Sequence, residues 1–186
     1  MKISLLLLVI SLNSATAQVA KIQPDRELTV LGITVGKTTM NEVKEKFKAK
    51  EIHHEGDADT MLYALCFYGP GSSTIAFESS EEGGNEKVVK SISINSTQNS
   101  YKLKKICQKT SLIKTKLVIN GISLGMSPDL VQKLVGTPVK QDTNTIEYKY
   151  SIQEKTETGQ KNTQSDMTIE FKDSMSNKIT VNKTES

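Results

Sequence analysis

The chain has 186 residues, 24 Lys and Arg against 21 Asp and Glu, a formal charge of +3, two Cys, two His and no Trp. That length allows one large domain or two small ones once an export segment is set aside. The mild, scattered charge argues against nucleic acid or an anionic membrane as partner, and two cysteines are too few for a disulfide scaffold.

Met1-Lys2 precedes a nearly continuous apolar run, Ile3 to Leu12, followed by Asn13-Ser14-Ala15-Thr16-Ala17. The run is too short to span a bilayer, and Ala15-Thr16-Ala17 has the form of a cleavage site, so residues 1–17 are expected to be a signal peptide. Gln18 to Glu27 is polar with a proline, as in a flexible leader. The mature protein is therefore expected to be exported, secreted or periplasmic, and soluble, with no stable membrane insertion.

Residues 28–97 read as a first repeat. Ile33-Thr34-Val35 alternates apolar and polar, as in a short half-buried strand, and Gly36 marks a bend. Thr39 and Glu42 have capping-box spacing, and Met40, Val43 and Phe47 follow on one helical face. Ala49 to Thr60 is a polar connection containing His53 and His54. Adjacent histidines in extended chain point opposite ways, so a hydrated loop is favoured over a metal site, and neither a metal nor a cofactor is expected. Met61 to Tyr68 is apolar throughout, predicting a strand covered on both faces. Ile75 and Phe77 mark a second strand, Glu81 to Asn85 a hairpin turn, and Val88, Lys90, Ile92 and Ile94 one face of a third.

Residues 98–116 form a linker carrying Cys107. In an exported protein an even pair favours a Cys66–Cys107 disulfide over two free buried thiols. The two are 41 positions apart, so the bridge is worth about 4 kcal/mol in the chain-entropy description. Cys66 lies mid-strand among apolar residues, which raises a thiol pKa and argues against catalysis. The linker around Ile106-Cys107 is expected to lie across the second face of the Met61–Tyr68 strand.

Residues 117–184 read as a second repeat. Gly121-Ile122-Ser123-Leu124-Gly125 echoes Gly32-Ile33-Thr34-Val35-Gly36 at a constant offset of 89 positions, which Leu28 and Leu117 share. Ser127 is a good N-cap, Pro128 suits the first helical position, Leu130, Val131, Leu134 and Val135 continue the helix, and Gly136 ends it before Pro138. Ile146, Tyr148, Tyr150 and Ile152, then Met167, Ile169 and Phe171, then Ile179 and Val181 alternate with polar residues, predicting three strands with one wet face. Gln153 to Ser165 is polar throughout and is expected to be a long loop, mobile in preference to meeting a partner.

The pattern Gly-Met-Ser-x-x-x-Val-x-x-Leu-x-Gly-x-Pro from Gly125 to Pro138 resembles the repeat of the small outer-membrane lipoprotein family SmpA/OmlA, and also the tandem repeats of the β-lactamase inhibitor protein. The first half matches less well: Lys37 stands for Met, the helix spacing is one residue longer, and the closing Gly-x-Pro is missing. The resemblance implies helices packed on an antiparallel sheet and binding to other proteins. It carries over no partner-contact residue, and no cysteine near residue 17 supports the lipoprotein family's lipid anchor.

Nucleophile elbow, phosphate loop, dinucleotide fingerprint and His-Glu-x-x-His are all absent from the sequence. The expected fold is α+β, a tandem duplication of a strand-helix-three-strand unit with the helices on one face of an antiparallel sheet. The expected function is an exported, non-enzymatic protein-binding module. The alternatives are an inhibitor of a secreted or periplasmic enzyme, an outer-membrane assembly accessory, and a small hydrolase using His53 or His54.

Overall fold

Residues 28–57, 61–69, 73–80, 86–96, 106–114, 116–156 and 159–185 are described by the computed structural model. The expected signal peptide and leader, the turn at 81–85 and the start of the linker, up to residue 105, lie outside the described residues.

Each half opens on the same tight turn. Strands β1 (Thr29–Val30) and β2 (Ile33–Thr34) pair across Leu31 and Gly32, whose φ values are 51° and 72°. In the second half Ile119 and Ile122 exchange both backbone hydrogen bonds across Asn120 and Gly121, with φ values of 49° and 78°. Two consecutive left-handed residues are the signature of the hairpin turn whose twist suits paired strands. Gly36 (φ 76°) and Gly125 (φ 83°) then make the bend toward each helix, a conformation that costs a side-chain-bearing residue.

Helix α1 (Met40–Phe47) starts on Thr39. Its hydroxyl accepts from the Glu42 N–H, and the Glu42 carboxylate accepts from the Thr39 N–H at 2.7 Å, closing a capping box. The Thr39 N–H and the Thr39 hydroxyl both donate to the Glu42 carboxylate and hold its pKa below the usual carboxylate value. Helix α2 (Pro128–Val135) starts on Ser127, whose hydroxyl accepts from the Leu130 N–H, and stops at Gly136 (φ 107°). Met40, Val43 and Phe47 are buried on α1, and Val131 and Val135 on α2, while Leu130 is exposed.

The remaining strands are β3 (His53–Glu55), β4 (Leu62–Tyr68), β5 (Ser73–Ser80), β6 (Ser91–Ser96), β7 (Gln108–Lys109), β8 (Lys140–Gln141), β9 (Thr145–Thr156), β10 (Gly159–Lys172) and β11 (Met175–Glu185). They form one sheet in the order β3-β4-β5-β6-β11-β10-β9-β8, with β7 added beside β4. The order is a palindrome: each half contributes an edge strand and a three-strand meander, and the last strands of the halves, β6 and β11, meet at the centre. Ile94 faces Ile179 and Ile92 faces Val181 across that seam, so the two meanders share one continuous sheet.

The alternation decides the core. Leu65, Phe67, Ile75, Phe77, Ile92, Ile94, Ile146, Tyr148, Met167, Ile169, Phe171, Ile179 and Val181 join the buried helix residues in a single cluster. Phe47 stacks on Phe67 at 4.3 Å between centroids, and Phe77 closes the trio at 5.5 Å from Phe47.

Four expectations need correction. Gln153 to Ser165 is not a loop. The ladder from Thr145 opposite Glu170 to Thr156 opposite Gly159 carries β9 and β10 through it as a hairpin. Backbone pairing needs no apolar side chain, so the polar composition concealed strands that outrun the core. His53–Glu55 also pairs, as edge strand β3 against Ala64, Tyr63 and Leu62. Val89, not Val88, enters the core at 0% exposure, because the chain is irregular from Val88 to Lys90 before β6 begins. Finally, Gln108–Lys109 lies in the plane of the sheet, parallel to β4 at Phe67 and Tyr68, not across the face of that strand.

Candidate binding surface

The two ends of the palindromic sheet are built alike and finished differently. At one end β3 covers the first part of the β4 edge, Leu62 to Ala64, and β7 covers Phe67 and Tyr68. The Thr110 N–H donates to the Tyr68 carbonyl at 2.9 Å and extends this cover. Cys66 and Cys107 form a disulfide that anchors the start of β7 to the strand it pairs with. Gly69 is buried because the chain at Ile113 passes over it; a Cβ there would meet the Ile113 carbonyl and, at 2.7 Å, its side chain.

At the other end β8 covers only Ile146 and Glu147 of β9. Beyond that, from Tyr148 to Thr156, no strand among the described residues pairs with the outer side of β9. The reason is local. The chain leaves α2 through Gly136-Thr137-Pro138, and Pro138 cannot donate to a ladder, so β8 starts only at Lys140.

The polarity of this open edge follows from its paired start. The Val139 N–H donates to the Glu147 carbonyl and the Asp142 N–H to the Thr145 carbonyl. Thr145 and Glu147 therefore turn their backbone groups outward, and with a two-residue period so do Lys149, Ser151 and Gln153. Lys149 and Ser151 are exposed. Lys140 of β8 forms an ion pair with Glu147 at 3.4 Å.

On the core side, Tyr148 and Tyr150 lie parallel with centroids 6.5 Å apart, and the Tyr148 hydroxyl donates to the Gly136 carbonyl at 3.2 Å. Burial pushes both phenols up to about 12; at Tyr150 the neighbouring Tyr148 adds to the effect. Both rings stay neutral at ordinary pH and present an apolar flank to the edge.

The opposite face also differs between the halves. Behind β4, β5 and β6, Ala64, Cys66, Thr74, Ala76, Ser93 and Asn95 are buried. Glu78, on this side, has its pKa raised by burial, opposed by Lys178. Behind β9 and β10, Thr168 and Asp166 are half-buried and Lys149 is exposed, so the expected wet face belongs to the second half.

The histidines single out no reactive centre. His53 and His54 are exposed neighbours on β3, and among the described residues no three His, Cys, Asp or Glu side chains are grouped to hold a metal ion. Sequence reasoning brought Cys66 and Cys107 together and missed Lys149 and Ser151 as edge residues. The signal available for them was the glycine at position 159, which opens β10 opposite Thr156 where two polar strands fold back on each other.

Among the described residues no helix is long and apolar enough to cross a membrane. No curated protein and no solved structure matches this chain. Residues 113–180, which span α2 and β8 through β10 and reach into β11, match the family model of the outer membrane protein assembly factor BamE domain, and the chain thus resembles the SmpA/OmlA family.

Proposed function

We propose that this chain is an exported, non-enzymatic protein-binding accessory of outer-membrane assembly. The observation that carries the reading is the match of residues 113–180 to an assembly-factor domain, since those residues make up the helix and nearly all of the meander of the second half. The open β9 edge belongs to the same segment, and a sheet edge is a common means of engaging another polypeptide.

The first half is read as a diverged second copy of this unit. Supporting this are the matching turns at Leu31-Gly32 and Asn120-Gly121 and the palindromic strand order. The bend is also bonded alike in both halves. The Gly36 N–H donates to the Val89 carbonyl and the Val89 N–H to the Thr38 carbonyl. The Gly125 N–H donates to the Ser176 carbonyl and the Ser176 N–H to the Met126 carbonyl.

The test is cross-linking of the tagged full-length chain in envelope extracts of its source cell, followed by mass spectrometry. The expected result is enrichment of a component of outer-membrane protein assembly. A stoichiometric complex with a secreted or periplasmic enzyme, inhibiting it, would replace this reading with the inhibitor alternative.

A further inference from the structure

We infer that the outer edge of β9 at Lys149, Ser151 and Gln153 is a strand-addition site that takes an extended segment of a partner protein alternating apolar and acidic residues. The inference deepens the protein-binding reading above and rests on it for the biological partner; the chemistry of the edge is argued from this chain alone.

The pairing pattern shows what such an edge accepts. In the palindromic sheet β4 corresponds to β9, and β3 on β4 corresponds to β8 on β9. The pairs His53–Ala64 and Lys140–Glu147 then align, which places Phe67 and Tyr68 at the positions of Tyr150 and Ser151. In the first half these two positions pair with β7, a parallel strand supplied by the linker. In the second half the same two positions have no pairing strand among the described residues. Among the described residues the fold thus contains, at one end, a filled version of the site that is open at the other. The unmet outward N–H and C=O groups of Lys149 and Ser151 are the recognition element, since backbone pairing supplies the affinity in strand addition.

Side chains specify the occupant. Residues of an added strand alternate between the two faces. On the core face they lie beside the partly buried Tyr150 ring, which favours apolar groups. On the opposite face they lie beside exposed Lys149. The strand already present sets the rule there: at the adjoining outward position Glu147 is met by a side chain of opposite sign, Lys140. The matching choice opposite Lys149 is Asp or Glu. A second copy of this chain fits less well, because antiparallel pairing of two such edges puts two Lys149 side chains on one face of a short seam.

The experiment titrates the isotopically labelled full chain with a synthetic peptide alternating valine and glutamate, and with its valine–lysine counterpart, following backbone amide shifts and hydrogen exchange. The expected result is that the acidic peptide shifts and protects the amides of Lys149, Ser151 and Gln153, and that the basic peptide binds less tightly. Ser151→Pro removes one outward N–H and puts a ring in the path of an added strand, while the β9–β10 ladder, which that N–H does not serve, stays intact. It is expected to weaken binding about tenfold or more. Lys149→Glu, which leaves the backbone untouched, is expected to weaken the acidic peptide about two- to fivefold and to strengthen the basic one.

Shifts that map elsewhere, or a Ser151→Pro chain that folds and binds as tightly as the parent, would overturn the inference. So would sedimentation showing a dimer that Ser151→Pro dissociates, because the edge would then serve self-association. In the cross-linking test, a Ser151→Pro chain that keeps its partner overturns the edge and leaves the binding-module reading standing. Peptide binding at the edge without any cross-linked partner does the reverse.

Discussion

The first and second halves carry the same framework but differ in how they are completed. The first half is sealed: an aromatic trio fills its core, small residues close its back face, and a disulfide-anchored strand covers its edge. The second half is open: β9 and β10 run on as a ladder through a polar stretch of sequence, the back face is wet, and among the described residues most of the β9 edge has no pairing strand. The difference teaches that two meanders of matching strand order present either a covered or an open edge, depending on what is laid along them.

The largest test of this contrast is in the aromatic trio. Phe67 is 1% exposed and stacked on Phe47, so Phe67→Ala is expected to cost about 3–5 kcal/mol in urea denaturation. Tyr150→Ala, at the corresponding position, is only partly buried and is expected to cost clearly less. Equal losses would remove the contrast between a sealed and an open half.

Next comes the edge cover. Replacing Cys66 and Cys107 together by Ala releases a closure between residues 41 apart and is expected to cost up to about 4 kcal/mol. Hydrogen exchange should rise at Thr110, whose N–H is bonded to Tyr68, and stay unchanged along β10 and β11. Faster exchange in β10 would mean that the two edges are coupled.

Smaller effects compare like with like. Gly36→Ala and Gly125→Ala each force a side-chain-bearing residue to a positive φ and are expected to cost about 1–2 kcal/mol each. Gly125 has open space around the added Cβ, while at Gly36 the Lys183 side chain must move aside, so Gly36→Ala is expected to be the worse of the pair. Thr39→Ala and Ser127→Ala each remove an N-cap and are expected to cost about 1 kcal/mol, with Thr39→Ala the larger because it dismantles a full capping box.

The smallest effect is confined to alkaline pH. In the folded chain the Tyr148 and Tyr150 phenols are raised from 10.0 to about 12. The unfolded chain therefore loses these protons first. The stability they contribute is intact below pH 10.0 and is lost as pH rises toward about 12. Phenolate absorbance during an alkaline titration reads this directly, and Tyr148→Phe and Tyr150→Phe are each expected to remove part of the high-pH step. Ionisation of both near pH 10.0 would show that the open edge does not shield its tyrosines.

Much of the framework was legible because it depends on local rules. Thr39 with Glu42, and Ser127 with Pro128, announce helix starts through hydrogen bonds within one turn. Ile146, Tyr148, Met167, Ile169, Ile179 and Val181 announce buried faces through a period of two. The two cysteines could be paired by counting. His53–Glu55, Gln153–Ser165 and the irregular step at Val88–Lys90 were not legible, because each is fixed by a neighbouring strand and not by its own side chains.

The sequence by itself determined the bends at Gly36 and Gly125, the caps, the buried alternation and the cysteine pair, since these rest on backbone preferences, apolar periodicity and residue counts. Only the tertiary structure decided that β6 and β11 join the halves into one sheet, that β7 covers one end, and that Lys149 and Ser151 face outward with no pairing strand among the described residues at the other. Backbone hydrogen bonds between distant strands carry no side-chain signature, so strand order and open edges emerge only once the chain has folded.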